Sequence, residues 1–161
     1  MFLIAPEWHA IVHLMAELVL VPRYHQLRVE STDNAQQIDA IARAAAVADS
    51  IYATLAEDGL VGRSEADVAW RIEWLARERG ATGLSVPPIV AAGAHGALPH
   101  AEPRDRRIEE GELVVLDLGV VVEGYCSDCT RTFATGQVSA DQRDVYEIVR
   151  EAQEAALGAI V

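Results

Sequence analysis

The stretch Val114-Val115-Leu116-Asp117-Leu118-Gly119-Val120-Val121-Val122-Glu123-Gly124-Tyr125-Cys126-Ser127-Asp128-Cys129-Thr130-Arg131-Thr132-Phe133 decides the fold. Two β-forming runs, Leu113 to Val122 and Tyr125 to Ala134, meet at Glu123-Gly124, a pair suited to a two-residue turn between antiparallel strands. A carboxylate inside an apolar strand is unfavourable unless something pairs with it, and this hairpin holds two, Asp117 and Asp128. If Glu123 and Gly124 form the turn, Val122 faces Tyr125, Asp117 faces Thr130, and Asp128 lies diagonal to Asp117 on the same side. If Val122 and Glu123 form it, the two aspartates face each other directly. Either register sets the side-chain bases about 5–8 Å apart, near enough to share cations about 3.5–4 Å apart. Without a cation the two charges repel. Gly119, on the same face, leaves room for ions or a substrate, and Thr130 and Thr132 offer hydroxyls beside it. The competing reading has Asp117 capping a turn and Asp128 paired with Arg131 on the surface.

Outward from the hairpin, Leu84 to Ala92 reads as a strand and Gly93 to Gly111 as a long loop rich in glycine, proline and charge. Upstream lie two helices. The first begins at Thr32 or Asp33 as N-cap, carries Ile38, Ile41, Ala45, Ala48, Ile51, Tyr52 and Leu55 on one stripe, and ends at Gly59. The second starts at Ser64, which with Asp67 resembles a capping box, and runs through Trp70 and Trp74 to Gly80. A last helix is capped by Ser139 and carries Val145, Ile148, Val149, Ala152, Ala156 and Leu157 on its apolar side. Helices, then strands, then a helix make an α+β class with a mostly antiparallel sheet. Residues 1–30 form a leader with a short amphipathic helix carrying Ile11, Leu14, Met15, Leu18 and Val19.

The chain has 161 residues and a formal net charge of −12. That balance argues against a phosphate-backbone partner, because nucleic-acid binding needs clustered Lys and Arg. The apolar stretch Met1 to Val21 is interrupted by Glu7, His9, His13 and Glu17, so neither a signal peptide nor a spanning helix fits, and no membrane partner is expected. Two cysteines, Cys126 and Cys129, are too few for a disulfide framework of this size and suggest a reducing cytoplasm.

The hairpin resembles the pita-bread metallopeptidases, the family of Xaa-Pro aminopeptidase and prolidase. There an Asp in an apolar strand is followed by an Asp in a Ser-Asp-x-Thr-Arg-Thr context, here Asp117 and then Ser127-Asp128-Cys129-Thr130-Arg131-Thr132. Leu98-Pro99-His100 resembles the substrate-side histidine that precedes the first metal aspartate, and Gly111 to Val115 and Glu123-Gly124-Tyr125 also fit. A looser similarity extends back to Leu27-Arg28. The resemblance implies an incomplete pita-bread fold, with residues 31–161 as the first half of its catalytic domain.

It also implies chemistry. Asp117 would contact one ion and Asp128 bridge two, Thr130 would support these ligands from outside the coordination sphere, and His100 would hydrogen-bond the substrate carbonyl oxygen as it becomes tetrahedral. The cofactors would be two divalent ions, manganese, cobalt or zinc, which activate a hydroxide to cleave N-terminal residues from peptides at Xaa-Pro bonds. The family site needs five ligands, and its remaining histidine and two glutamates are absent from this chain. Two carboxylates hold such ions weakly, so the expectation is a truncated or degenerate member that is inactive alone and pairs with a second copy as a homodimer to replace the missing half. Two alternatives stand beside this one: a non-catalytic pita-bread module that binds peptide or protein, and a creatinase-like amidinohydrolase.

Other residues invite blander readings. Cys126 and Cys129 sit three apart on a strand and point to opposite faces, which disfavours a disulfide or shared ligand, although Cys126 could face the metals. His9 and His13 share a helical face without the Glu of a zinc-protease helix and are read as packing residues. His95 is given no role. Trp70 and Trp74 are read as core or interface, and Glu147, Glu151 and Glu154 as a solvated face.

Overall fold

A computed structural model describes residues 34–159 of the chain. The leader 1–30 with its helix, the cap candidates Thr32 and Asp33, Leu27-Arg28, and His9 with His13 lie outside the described residues. Helix α1 spans Asn34–Asp58 and ends as expected at Gly59, whose positive φ of 72° suits glycine and whose N–H bonds the Leu55 carbonyl. Helix α2 spans Glu65–Glu78. Its capping box is formed: the Asp67 N–H donates to Ser64 Oγ at 3.0 Å, and the Ser64 N–H donates to Asp67 Oδ2 at 3.2 Å. Helix α3 spans Ala140–Ala159 behind a second box, Ser139 with Gln142.

Six short strands follow α2 and precede α3: β1 Gly83–Leu84, β2 Ile89–Ala92, β3 Leu113–Leu118, β4 Val120–Val122, β5 Tyr125–Cys126 and β6 Cys129–Ala134. They form two antiparallel sheets, ordered β1-β4-β5 and β2-β3-β6. The hairpin therefore belongs to both sheets at once. The register is the one set by Glu123-Gly124: Val122 pairs with Tyr125 and Asp117 with Thr130. Glu123 and Gly124 both have positive φ, 52° and 84°, the requirement of a type I′ turn.

Three expected strands are each divided. Leu84 to Ala92 breaks at Pro87-Pro88, which have no N–H to give a ladder. The runs through Gly119 and through Ser127-Asp128 break where the hairpin passes from one sheet to the other. There the Ser85 N–H donates to the Gly119 carbonyl, Ser85 Oγ donates to the Ser127 carbonyl at 2.8 Å, and the Val120 N–H donates to Ser127 Oγ at 3.1 Å.

Helices α1 and α2 cover one face of the sheets. Ile51, Tyr52 and Leu55 of α1 and Val68, Ile72 and Leu75 of α2 pack with Val90, Val114, Leu116, Leu118 and Val120 in one core. The buried stripe of α1 holds Ala48, Ile51, Tyr52 and Leu55 as expected and departs from the expected one toward the N-terminus. There Ala40 and Ala44 face inward while Ile38 is exposed, since small side chains let the helix approach the sheet closely. Trp70 and Trp74 are not core: they are 72% and 53% exposed on the outer side of α2, with Arg71 stacked on Trp74. The apolar side of α3 is likewise uncovered, and no described residue of that helix is buried.

A Cβ at position 119 would lie 2.0 Å from the Ser127 carbonyl oxygen and 2.1 Å from Ser85 Oγ. Gly119→Ala is therefore expected to destabilise the fold by about 3 kcal/mol or more, read as the shift in urea denaturation midpoint; a shift within error would contradict this account of the sheet crossing.

Candidate metal centre and the His100 cleft

Strand alternation separates the two faces of the hairpin. Leu116 and Leu118 point into the core, while Asp117 between them points to the opposite face and is half-buried. Asp117 lies between Ile89 on β2 and Thr130 on β6, and the Thr130 hydroxyl donates to Asp117 Oδ1 at 2.7 Å. Asp128 sits at the break before β6, opposite Gly119 in the hairpin register. Burial pushes its carboxyl above the ordinary range, and the neighbouring negative charge of Asp117 pushes it further, against a hydrogen bond from the Cys129 N–H. The Asp117–Thr130 pairing sets the two carboxylates on a diagonal of the hairpin.

The surface reading of this pair is overturned at Arg131. Its side chain is 3% exposed, stacks over the Tyr52 ring, and reaches Asp49 at 2.9 Å, Cys129 Sγ at 2.9 Å and the Thr130 carbonyl at 3.0 Å. Asp128 is not its partner, because Arg131 pairs with Leu116 across the strands and so faces the helices. The expected role of Gly119 is corrected as well: the space beside it is occupied by Ser127 and Ser85, so the glycine serves the chain crossing and not an open cavity. Cys126 and Cys129 are free thiols in different sheets, and Cys129 lies on the Arg131 side.

His100 is carried by a separate segment. After β2 a short 3-10 turn, Gly93–Ala97, leads into the loop that bears it. His100 is exposed and lines a cleft of about 330 Å³ with His95, Glu102 and Arg104. Among the described residues no group of three or more His, Cys, Asp or Glu side chains forms that could hold a metal ion.

Two buried residues of this region escaped the sequence. Glu65 in the first turn of α2 is fully buried, and His95 nearly so. The Glu65 carboxylate accepts from the Ala92 N–H at 2.9 Å, from the Arg104 N–H at 3.1 Å, and from His95 Nδ1 at 2.9 and 3.0 Å. An acid in the first turn of a helix is ordinary company for the helix dipole, which hides its second role. Its partners are 27 to 39 residues away along the chain, beyond any local pattern.

The two layers and the divided hairpin are those of one part of a pita-bread fold. A prolidase from Thermococcus sibiricus superposes with a TM-score of 0.75 at 43% identity, covering 78% of this chain and 34% of that one. An X-Pro aminopeptidase from Thermotoga maritima gives 0.74 at 34% identity, covering 76% and 35%. Among curated proteins, an Xaa-Pro dipeptidase of Pyrococcus furiosus is 40% identical over 124 residues, 77% of this chain and 36% of the relative. The profile of metallopeptidase family M24 matches residues 31–161, and the chain belongs to that family. It spans 35–36% of the length of the two Pyrococcus dipeptidases it matches.

Between the ordinary carboxylate range and its raised value, folded Asp128 keeps a proton that the unfolded chain has lost, so this site weakens the fold as pH rises through that window. Removing the neighbouring charge with Asp117→Asn is expected to move the Asp128 midpoint down in a ¹³C carboxyl titration. An unchanged midpoint would mean that the two groups do not interact.

Proposed function

We propose that this chain supplies one half of the working site of a metal-dependent exopeptidase that releases N-terminal residues from peptides, with Xaa-Pro bonds as the target. The observation that carries the reading is the Asp117–Thr130 pairing, which sets Asp128 diagonal to Asp117 across the hairpin, where the charge of Asp117 adds to burial in raising the Asp128 carboxyl. Family membership and the names of the relatives, Xaa-Pro dipeptidase and prolidase, support the class and the bond. The family match over 31–161 supports reading that stretch as part of the catalytic domain.

The residues present fit a divalent cation. Oxygen donors of like charge, half-buried and close together, are stabilised by a positive ion, and Thr130 fixes the orientation of Asp117 through its hydroxyl. Asp117 and Asp128 would hold the two divalent ions, manganese, cobalt or zinc. When bound, such ions acidify water enough for it to attack a peptide carbonyl near neutral pH. His100 donates a hydrogen bond to the substrate carbonyl oxygen as negative charge develops there, and the cleft beside it receives the peptide. Two carboxylates alone hold such ions weakly, so weak binding and no turnover are expected from this half alone.

A second copy of the chain is proposed as partner, and the uncovered side of α3 supports this: Val145, Ile148 and Val149 are 59%, 66% and 56% exposed. The free thiols of Cys126 and Cys129 fit a reducing cytoplasm.

Calorimetric titration of Mn²⁺ into the 161-residue chain tests the site. Saturable binding is expected, and about tenfold weaker or undetectable binding in Asp117→Asn and in Asp128→Asn; undiminished affinity in both variants overturns the reading. Xaa-Pro dipeptide hydrolysis by the chain alone is expected to be undetectable, and brisk turnover would refute the half-site. Sedimentation velocity at micromolar concentration is expected to find a dimer, and a monomer would remove the partner.

A further inference from the structure

The loop from Ala92 to Arg104 carries His100 at its exposed part, yet both of its ends meet at one carboxylate. Glu65 Oε1 accepts from the Ala92 N–H where the loop leaves β2, and Oε2 accepts from the Arg104 N–H where it returns. Between them His95 Nδ1 donates into the same carboxylate. A carboxylate only accepts, so His95 must present its hydrogen on Nδ1, which fixes the tautomer and the plane of the ring. The ring in turn holds the 3-10 turn, whose His95 carbonyl accepts from the Leu98 N–H two residues before His100. Backbone bonds from the Ala66 N–H to the Arg104 carbonyl, and from the Glu65 N–H to the Arg106 carbonyl, attach the returning segment of the loop to the same helix end.

We infer that Glu65 and His95 are positioning residues for His100: a buried carboxylate–imidazole pair at the start of α2 that clamps both ends and the middle of the His100 loop against the helix. Neither side chain needs to touch a substrate. The helix end itself is rigid, since its capping box and the packing of Val68, Ile72 and Leu75 hold it to the core. What the clamp transmits to His100 is that rigidity. The inference gives a purpose to His100 as read above, but the clamp is measured on the loop itself, without substrate or metal.

The test compares Glu65→Gln, His95→Leu and His95→Asn in the 161-residue chain, each read by amide exchange and by ¹³C relaxation of the His100 imidazole. Gln at 65 sets an NH₂ against a donor already present, Leu at 95 removes the middle contact, and Asn at 95 returns an N–H near the place of Nδ1. In Glu65→Gln and His95→Leu, exchange at Ala92 and Arg104 is expected to rise about tenfold, the scale of one lost buried hydrogen bond, with increased motion of the His100 ring. His95→Asn is expected to restore most of the order. Amides of the paired residues Asp117 and Thr130 should keep their protection throughout. An unchanged His100 ring in both disrupting variants overturns the inference, and so does a uniform loss of protection across the hairpin that His95→Asn fails to rescue. Should Glu65→Gln not fold, His95→Leu with its Asn control decides by the same criteria. Failure of Mn²⁺ binding leaves these readouts untouched, so the clamp and the metal site fail separately.

Discussion

The type I′ turn at Glu123-Gly124 is the constraint on which the structure depends. Both residues adopt positive φ, a backbone that gives the two strands the right-handed twist of the sheet and permits one register only. In that register Leu116 and Leu118 enter the core and Asp117 faces away from it, toward Thr130 and Asp128. A slip by one residue would bury Asp117 among α1 and α2 and expose both leucines. The core therefore enforces the carboxylate pair, and the pair needs no stabilising contact of its own to stay in place.

The hairpin also changes sheet halfway along, and this crossing joins the fold to the site. Gly119 admits the Ser127 carbonyl and the Ser85 hydroxyl where a side chain would stand. Asp128 is set beside that crossing, where burial raises its carboxyl. On the other face Tyr52 donates its hydroxyl to the Cys129 and Leu116 carbonyls, and Arg131 lies over its ring with Asp49 as ion partner. A buried arginine under the strand that bears Thr130 leaves that strand little freedom, because shifting it would strand a charge in the core.

How much of this was legible follows from the range of each interaction. The helix end at Gly59 and the capping box at Ser64 are set by neighbours in sequence and read correctly, and the same local signals narrowed the turn to two candidates, of which Glu123-Gly124 is the one formed. Resemblance through Asp117, Ser127-Asp128 and Leu98-Pro99-His100 carried the family. Along α1 the stripe read correctly from Ala48 to Leu55, and its start was misread because hydrophobicity favours Ile38 over Ala40 and Ala44, whereas close packing against a sheet favours alanine. The strand breaks at Gly119 and Ser127 depend on Ser85, far upstream, and the place of Arg131 depends on Asp49 and Tyr52. Glu65 and His95 were opaque for the same reason: an acid after a cap looks like a dipole partner, and a loop histidine looks solvated, until the fold brings them together.

The central claim is that this hairpin presents Asp117 and Asp128 as one cation-binding unit, and paramagnetic broadening by Mn²⁺ tests it most directly. Adding substoichiometric Mn²⁺ to the ¹⁵N-labelled chain should erase the amide signals of Asp117, Asp128 and Thr130 together and before all others. Broadening that centres on the acidic side of α3, at Glu147, Glu151 and Glu154, while the hairpin signals persist, would contradict it.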